Sequence, residues 1–542
     1  MTSADAPLPF NWANPYPTIR TPVFARNIVS TSQPLAAQAG VAILRQGGSA
    51  VDAAVAAAAV IALTEPVSNG LGSDSFAIIW DGKRLHGLNA SGWAPKAWDR
   101  AWFDKVNGGR IAERGWNSVT VPGCIAGWAA MHEKFGRLPF ADLLQPAIEY
   151  ATRGYTVSAI VGHKWAAQVE GLKSQPGFAE HFMPRGRAPA IGEHYVPPHT
   201  VKTLERIAAT GGRDFYEGET AAALVAHARA NGGAMSASDL AEYRPAWVDT
   251  LSVEYRDGYR LHEIPPNGQG IAALMALGML RHLDLESLPP DGAEAVHLKI
   301  EAMKCAFADV YTHVADPAYM KMDPSALIDD AYLAERAKLI RRDRATDFAH
   351  GSPPGGGTIY MSAADESGMM VSYIQSNYMG FGSGVVVPGT GVSLQNRGAG
   401  FNTNPDHVNC VAPRKRPFQT IIPAFLTRNG QAVMSYGVMG GNMQPQGHMQ
   451  TLTRILASGQ SPQAACDAPR FKVQRGLDVD LEYTVPEAVR ATLASLGHRI
   501  TETKDTYMDF GSGQFIWKLS DSADHGYVAA SDSRRDGHAA GY

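Results

Sequence analysis

Only four cysteines occur in 542 residues, Cys124, Cys305, Cys410 and Cys466, and no two form a CxxC pair. That spacing excludes a zinc ribbon, a dithiol redox motif and a disulfide-stapled scaffold, and it leaves the four as small buried hydrophobes. Charge of one sign is not in excess: 48 Lys and Arg stand against 52 Asp and Glu, a net −4. With no local basic cluster either, nucleic acid is not an expected partner. Long apolar runs are missing too. The longest, Val51 to Leu63, is interrupted by Asp52 and is too short to span a bilayer, so it predicts a buried alanine-rich helix and no membrane segment. The opening MTSADAPLPFNWANPYPTIR has neither a basic start nor an apolar stretch, so no secretory signal is expected and the expected compartment is the cytoplasm.

What is present suits a chain that buries a sizeable core, with 45% hydrophobic and 18% charged residues. The pattern is mixed. Helical spacing over 34–46 stops at Gly47-Gly48, and Ser49 can cap a second helix packed as a hairpin on the first. SFAIIWDGKRLHGLNA predicts two strands joined at Asp81-Gly82, residues 119–153 predict a turn and two helices, and 271–345 is almost wholly helical, a lobe beside the sheet. The period then switches. Thr358 to Ala364, a turn at Asp365–Gly368 and Met369 to Ser376 predict a hairpin, followed by strands at FQTIIPAFLTR and QAVMSYGVMG. Strands stacked in sheets with helices outside make a layered α+β sandwich.

The hairpin begins after Pro353-Pro354-Gly355-Gly356-Gly357, the most permissive backbone in the chain, placed directly before a threonine. A threonine hydroxyl is a poor nucleophile without a base, and one solution is the α-amine of the same residue once it becomes a chain terminus. An α-amine has a pKa near ~8, so a useful fraction is neutral at physiological pH. Thr358 becomes terminal if its hydroxyl attacks the Gly357 carbonyl, and glycine tolerates the contorted peptide this needs. A second glycine pair, Gly440-Gly441 in VMGGNMQPQG, follows a predicted strand, where backbone N–H groups can face an oxyanion. GFGSG at 380–384 lacks the Lys-Ser/Thr of a phosphate loop and is discounted.

GGSAVDAAVAAAAVIALTEPVSNGLGSDSF, VPGCIAGW, HLKIEAMKCAFADV, GGGTIYMSAADESG, FGSGVVVPGTG, VMGGNMQPQGHMQ and CDAPRF together resemble the γ-glutamyltransferase (glutathione hydrolase) family over about residues 28 to 475. The resemblance implies an N-terminal nucleophile hydrolase with a four-layer αββα fold. It also implies a proenzyme that cuts itself between Gly357 and Thr358 into a large subunit, 1–357, and a small subunit, 358–542. Thr358 is then the nucleophile, Ser376 supplies the hydroxyl that contacts it, and Gly440 and Gly441 form the oxyanion hole. No cofactor and no metal are implied, and the partner is a small-molecule amide.

The head-group site departs from the family. Ser91 stands where the family arginine grips the γ-glutamyl carboxylate, and Gly400 stands where its aspartate binds the α-ammonium. Gln419 and Thr420 replace a serine pair, and Tyr378 replaces an asparagine, with Asn377 one position off. Arg397 occupies an uncharged or acidic position, either to hold a substrate carboxylate or to neutralise a surface acid. The expectation is an acyl-enzyme amide hydrolase or acyltransferase whose acyl group is not a standard γ-glutamyl group. The alternatives are a true glutathione hydrolase, an oxamate or cephalosporin-type amidohydrolase, and a non-catalytic binding protein on the same fold. His297 and Glu301, one helical turn apart, could bind a metal, but no third ligand is evident.

Overall fold

A computed structural model describes residues 20–348, 357–503, 510–520 and 526–542. The Pro353–Gly356 segment singled out above lies outside the described residues. Two seven-stranded sheets, each antiparallel throughout, form the centre of the molecule. The first runs Val23–Ala25, Tyr527–Ser531, Ser512–Lys518, Gln431–Met439, Ala424–Arg428, Tyr259–Glu263, Leu251–Arg256. The second runs His538–Gly541, Ile28–Thr31, Gly357–Ala364, Met370–Tyr378, Asp74–Trp80, Leu85–Ala90, Ala246–Val248. Chain from both sides of Gly357 is interleaved in each.

Period-two alternation makes each sheet two-faced. In Gly357–Ala364, Ile359, Met361 and Ala363 pack under helices, whereas Tyr360 and Ala364 meet the first sheet together with Ile374, Phe76, Phe425 and Ile516. Gly437 lies where the Tyr360 ring would meet any Cβ, which lets the sheets approach. Helices Pro34–Arg45, Ala50–Thr64, Cys124–Phe135 and Phe140–Arg153 belong to the core outside the second sheet. Ile271–Leu280, Ala293–His313 and Met443–Leu456 belong to the core outside the first. The result is the four-layer αββα sandwich.

Ala50–Thr64 is buried along its whole length, so it cannot be held by an amphipathic face alone. Its start is fixed by a capping box in which Ser49 Oγ accepts from Asp52 N and Asp52 Oδ2 accepts from Ser49 N at 2.9 Å. The same carboxylate oxygen accepts from Arg137 N at 2.8 Å and Leu138 N at 3.2 Å, tying the loop after Cys124–Phe135 to this helix.

Two expectations need correction, and one pair of strands is new. The run FQTIIPAFLTR is a strand only over Ala424–Arg428: Pro423 has no N–H to give a ladder, and the Gln419 backbone pairs with Asn267 and Gln269 instead. The helical lobe is interrupted between Ile271–Leu280, Ala293–His313 and Asp330–Ala337, where Pro289, Pro290, Pro317 and Pro324 fall outside the α-helices. The strands Leu251–Arg256 and Tyr259–Glu263, unforeseen from the sequence, complete one edge of the first sheet.

Asp52→Ala strips three backbone N–H groups, those of Ser49, Arg137 and Leu138, of an acceptor. We expect a loss of about 2–4 kcal/mol, read as a fall of several degrees in thermal midpoint by scanning calorimetry. An unchanged midpoint would show that the capping box does not hold this corner.

Candidate active site

Thr358 sits at a register irregularity: Gly357 pairs with Tyr378, and the regular ladder starts at Ile359 opposite Gln375. Its parity with Tyr360 turns its side chain toward the space between the sheets, where it is 2% exposed. Ser376, two places from Ile374, and Asp74, two places from Phe76, share that face, and Ser376 and Asp74 are paired in register. Three neighbouring strands thus deliver a threonine, a serine and an aspartate to one face.

The Thr358 hydroxyl donates to Ser376 Oγ at 3.2 Å, and Gln444 Nε2 donates to Thr358 Oγ1 at 3.3 Å. Ser376 Oγ also accepts from Tyr378 N at 2.8 Å and from Arg397 Nη2 at 3.3 Å. The Arg397 charge therefore stands behind Ser376, two hydrogen bonds from Thr358 Oγ1, where it favours negative character on that oxygen. Arg397 is fully buried, which corrects the surface-neutralising alternative. Its Nη1 donates to Thr420 Oγ1 at 2.8 Å, its Cζ lies 4.2 Å from the centre of the Tyr378 ring, and its Nε has no hydrogen-bond partner among the described residues. Hydroxyls and a ring are weak company for a guanidinium in a dry site.

Asp74 is the nearby acid. Its Oδ2 accepts from Gln419 Nε2 at 2.8 Å and its Oδ1 from Gly92 N at 3.1 Å. Burial pushes the Asp74 carboxyl up to about 7, against the Arg397 charge and two backbone N–H bonds that favour the anion. Burial likewise pulls Arg397 down to about 10, against Tyr378 and Asp74. Neither Asp74 nor Gln444 was singled out from the sequence. Both stood inside quoted motifs, and only the strand register and the helix start bring them to Thr358.

Gly440 and Gly441 form the turn between Gln431–Met439 and Met443–Leu456. Both have positive φ, +122° and +61°, and a Cβ on Gly440 would meet Gly511 Cα at 2.9 Å. Gln444 N bonds Gly441 O at 3.2 Å, so the residue that touches Thr358 is anchored on the glycine turn. Gln269 Nε2 braces the same turn, donating to Gly441 O at 2.9 Å and Thr420 O at 2.7 Å.

The remaining sequence-predicted residues divide. Gln419 and Thr420 are in the site through Asp74 and Arg397. Tyr378 is there through its backbone N–H and its ring. Asn377, on the opposite parity, is held by Ser73, whose Oγ donates to Asn377 Oδ1 at 2.7 Å, and the structure does not bring it to the Thr358 hydroxyl. Ser91 is locked in a polar knot, its Oγ donating to Asn89 Oδ1 at 2.9 Å and accepting from Asn267 Nδ2 at 3.1 Å. At Gly400 a Cβ would meet Phe418 O at 2.8 Å, so the backbone here leaves no room for an acidic side chain without a shift. In GFGSG, Arg114 Nη1 donates to the Gly380 carbonyl at 2.8 Å and also to that of Gly382, which fills the loop with a guanidinium.

Away from this site, the fold supplies the third donor that His297 and Glu301 lacked in the sequence, His498. The donors are already engaged. His297 Nδ1 lies 2.8 Å from His498 Nε2, its Nε2 lies 2.7 Å from Arg341 O, and Glu301 meets Lys304 Nζ at 2.5 Å and Thr346 N at 2.9 Å. The set reads as a polar network tying Ala293–His313 to the loops around it.

Among the described residues no helix is long and apolar enough to cross a membrane. The cephalosporin acylase from Bacillus halodurans superposes with a TM-score of 0.93 at 43% identity, covering 99% of each chain. The oxamate amidohydrolase proenzyme of Klebsiella pneumoniae is 37% identical over 94% of this chain and 97% of its own. A glutathione hydrolase-like proenzyme of Bacillus subtilis is 37% identical over 82% and 85%. The family profile described as Gamma-glutamyltranspeptidase matches residues 36–542, and with the sandwich and its glycine turn already in place, the chain belongs to the gamma-glutamyltranspeptidase family.

Proposed function

We propose that the protein is a self-processing amidohydrolase that forms an acyl-enzyme on Thr358 and prefers an acyl group bearing a carboxylate over a γ-glutamyl group. The observation that supports this is the line Gln444–Thr358–Ser376–Arg397, in which a buried guanidinium with weak partners lies behind Ser376, beside Thr358. The names of the relatives, an oxamate amidohydrolase and a cephalosporin acylase, are consistent with a scaffold that takes acyl groups other than glutamyl.

In processing, Thr358 Oγ1 attacks the Gly357 carbonyl carbon, the peptide C–N bond breaks, and the acyl chain moves from nitrogen to oxygen. That shift frees the Thr358 α-amine, and water then hydrolyses the ester, releasing Gly357 as a carboxylate and restoring the Oγ1 hydroxyl. In turnover that amine takes the Oγ1 proton as the oxygen attacks the substrate amide, and the N–H groups at Gly440 and Gly441 receive the oxyanion. The proton passes to the leaving amine, and water or a second amine releases the acyl group. Arg397 holds the acyl carboxylate, which replaces hydroxyl partners with a charged one. Gln419, Thr420 and Tyr378 shape the pocket, and Asn377 stiffens the end of its strand.

Purified protein should resolve into chains of 357 and 185 residues, and Thr358→Ala should stay one chain by intact mass. A wild-type protein that is active yet uncut would overturn the processing step.

Selectivity is tested with matched amides. A glutaryl amide or oxamate should show higher kcat/KM than the corresponding γ-glutamyl amide, and Arg397→Gln should shrink that ratio about tenfold to a hundredfold, the worth of one charged contact. A ratio favouring γ-glutamyl and unmoved by the substitution would make this a glutathione hydrolase with a rearranged head-group site.

The Asp74 carboxyl adds a pH signature. Below about 7 it is neutral and the Arg397 charge is uncompensated; above about 7 it is an anion that both screens Arg397 and repels an acyl carboxylate. The ratio of kcat/KM for a glutaryl amide to that for a neutral acyl amide of equal length should therefore fall as pH rises through 7. Titration of the α-amine affects both substrates and cancels. Asp74→Asn should flatten the ratio, and a slope that survives this substitution would assign it to another group.

A further inference from the structure

A second pocket lies on the far side of the first sheet, between Ala293–His313, Met443–Leu456 and the strand Phe471–Arg475. It is small: the space inside it holds one or two groups of water size. Val296, Phe471 and Val485 make apolar walls, and Lys299, Arg454 and Arg470 bring three cations to the lining.

The charges do not balance. Arg470 and Arg534 are met by Asp532 and Glu482 at 2.6–3.0 Å. Arg454 Nη2 meets the half-exposed Asp291 at 2.5 Å and Pro469 O at 3.4 Å, while its Nη1 is buried without a hydrogen-bond partner among the described residues. Lys299 is 3% exposed and its Nζ donates to the Pro290 carbonyl at 3.2 Å. Lys299 and Arg454 therefore face one carboxylate between them, an excess positive charge in a nearly dry cavity. Such a charge is costly unless it is neutralised or an anion joins it. Burial and the Arg454 charge pull Lys299 down to about 7, which fits a site built around a missing negative charge.

We propose that this pocket binds a small inorganic anion of the chloride or nitrate class between the Lys299 ammonium and the unpartnered edge of Arg454. Size excludes sulfate and phosphate. Arg454 lies ten residues along the helix from Gln444, about 15 Å at the α-helical rise. An anion here therefore clamps the helix that carries Gln444 to the lobe helix Ala293–His313.

Crystals of the wild-type enzyme soaked in sodium bromide, with data collected at the bromine edge, should show an anomalous peak between Lys299 and Arg454. In solution, chloride should raise the thermal midpoint along a saturating curve by about 2 °C or more beyond isethionate at equal ionic strength. In Lys299→Met the chloride curve should fall onto the isethionate one. No bromide peak in the pocket, an equal rise with isethionate or sulfate, or an undiminished chloride response in the variant would each overturn the proposal. The bromide experiment needs no variant, so it decides the matter even if Lys299→Met does not fold.

Discussion

The pairing of Gly357–Ala364 between Ile28–Thr31 and Met370–Tyr378 is the constraint from which the site follows. Side chains in a strand alternate between faces, so the register of one central strand decides what enters the space between the sheets. A slip by one residue would turn Thr358 under the helices and bring Ile359 to the site. The core on both sides prevents that slip. Ile359 and Met361 are packed under Ala50–Thr64, while the Tyr360 ring fills the gap left by Gly437 on the opposite sheet. Hydrophobic packing thus sets the geometry of a polar site that it does not touch.

The site is dry and its charges are sparse. Asp74, Ser376, Arg397, Gln419 and Thr420 are all buried, and the single guanidinium is held by two hydroxyls and a ring. In such surroundings electrostatic terms are strong because no water screens them. Asp74 rises and Arg397 falls for the same reason, burial, and each moderates the other. Among the described residues Arg397 has no ion-pair partner in direct contact, which is the physical basis for proposing that it holds a substrate carboxylate. The same logic, a buried cation in excess, marks the Lys299–Arg454 pocket on the far side of the sheet.

The departures from the family pattern also find causes in the backbone. Ser91 is held by Asn89 and Asn267 in a knot that keeps it from solvent, and Gly400 runs close beneath the Phe418 carbonyl. Changes at these two positions therefore belong with changes in the surrounding loops. Arg397, Gln419 and Asp74 lie together instead, joined to one another through Thr420, Ser376 and the strand register.

Much of this was legible in local sequence. Periodicity marked the hairpin that begins at Thr358, the capping residue Ser49 marked the start of the alanine-rich helix, and the paired glycines marked the turn at 440–441, because each signal depends on neighbours within a few residues. The motif resemblance gave the four layers, and it supplied the roles proposed for Thr358, Ser376, Gly440 and Gly441. What the sequence could not disclose were the contacts between distant segments. Asp74 lies 323 residues before Arg397 and Gln444 lies 86 after Thr358, and nothing in their own surroundings points at one another. His498 joins His297 and Glu301 in the same way. The sequence by itself determined which residues could be a nucleophile, a turn or a core face, since those follow from local chemistry and periodicity. Only the tertiary structure decided which charges share a dry space, because burial and partnership arise when strands and helices far apart in the chain pack together.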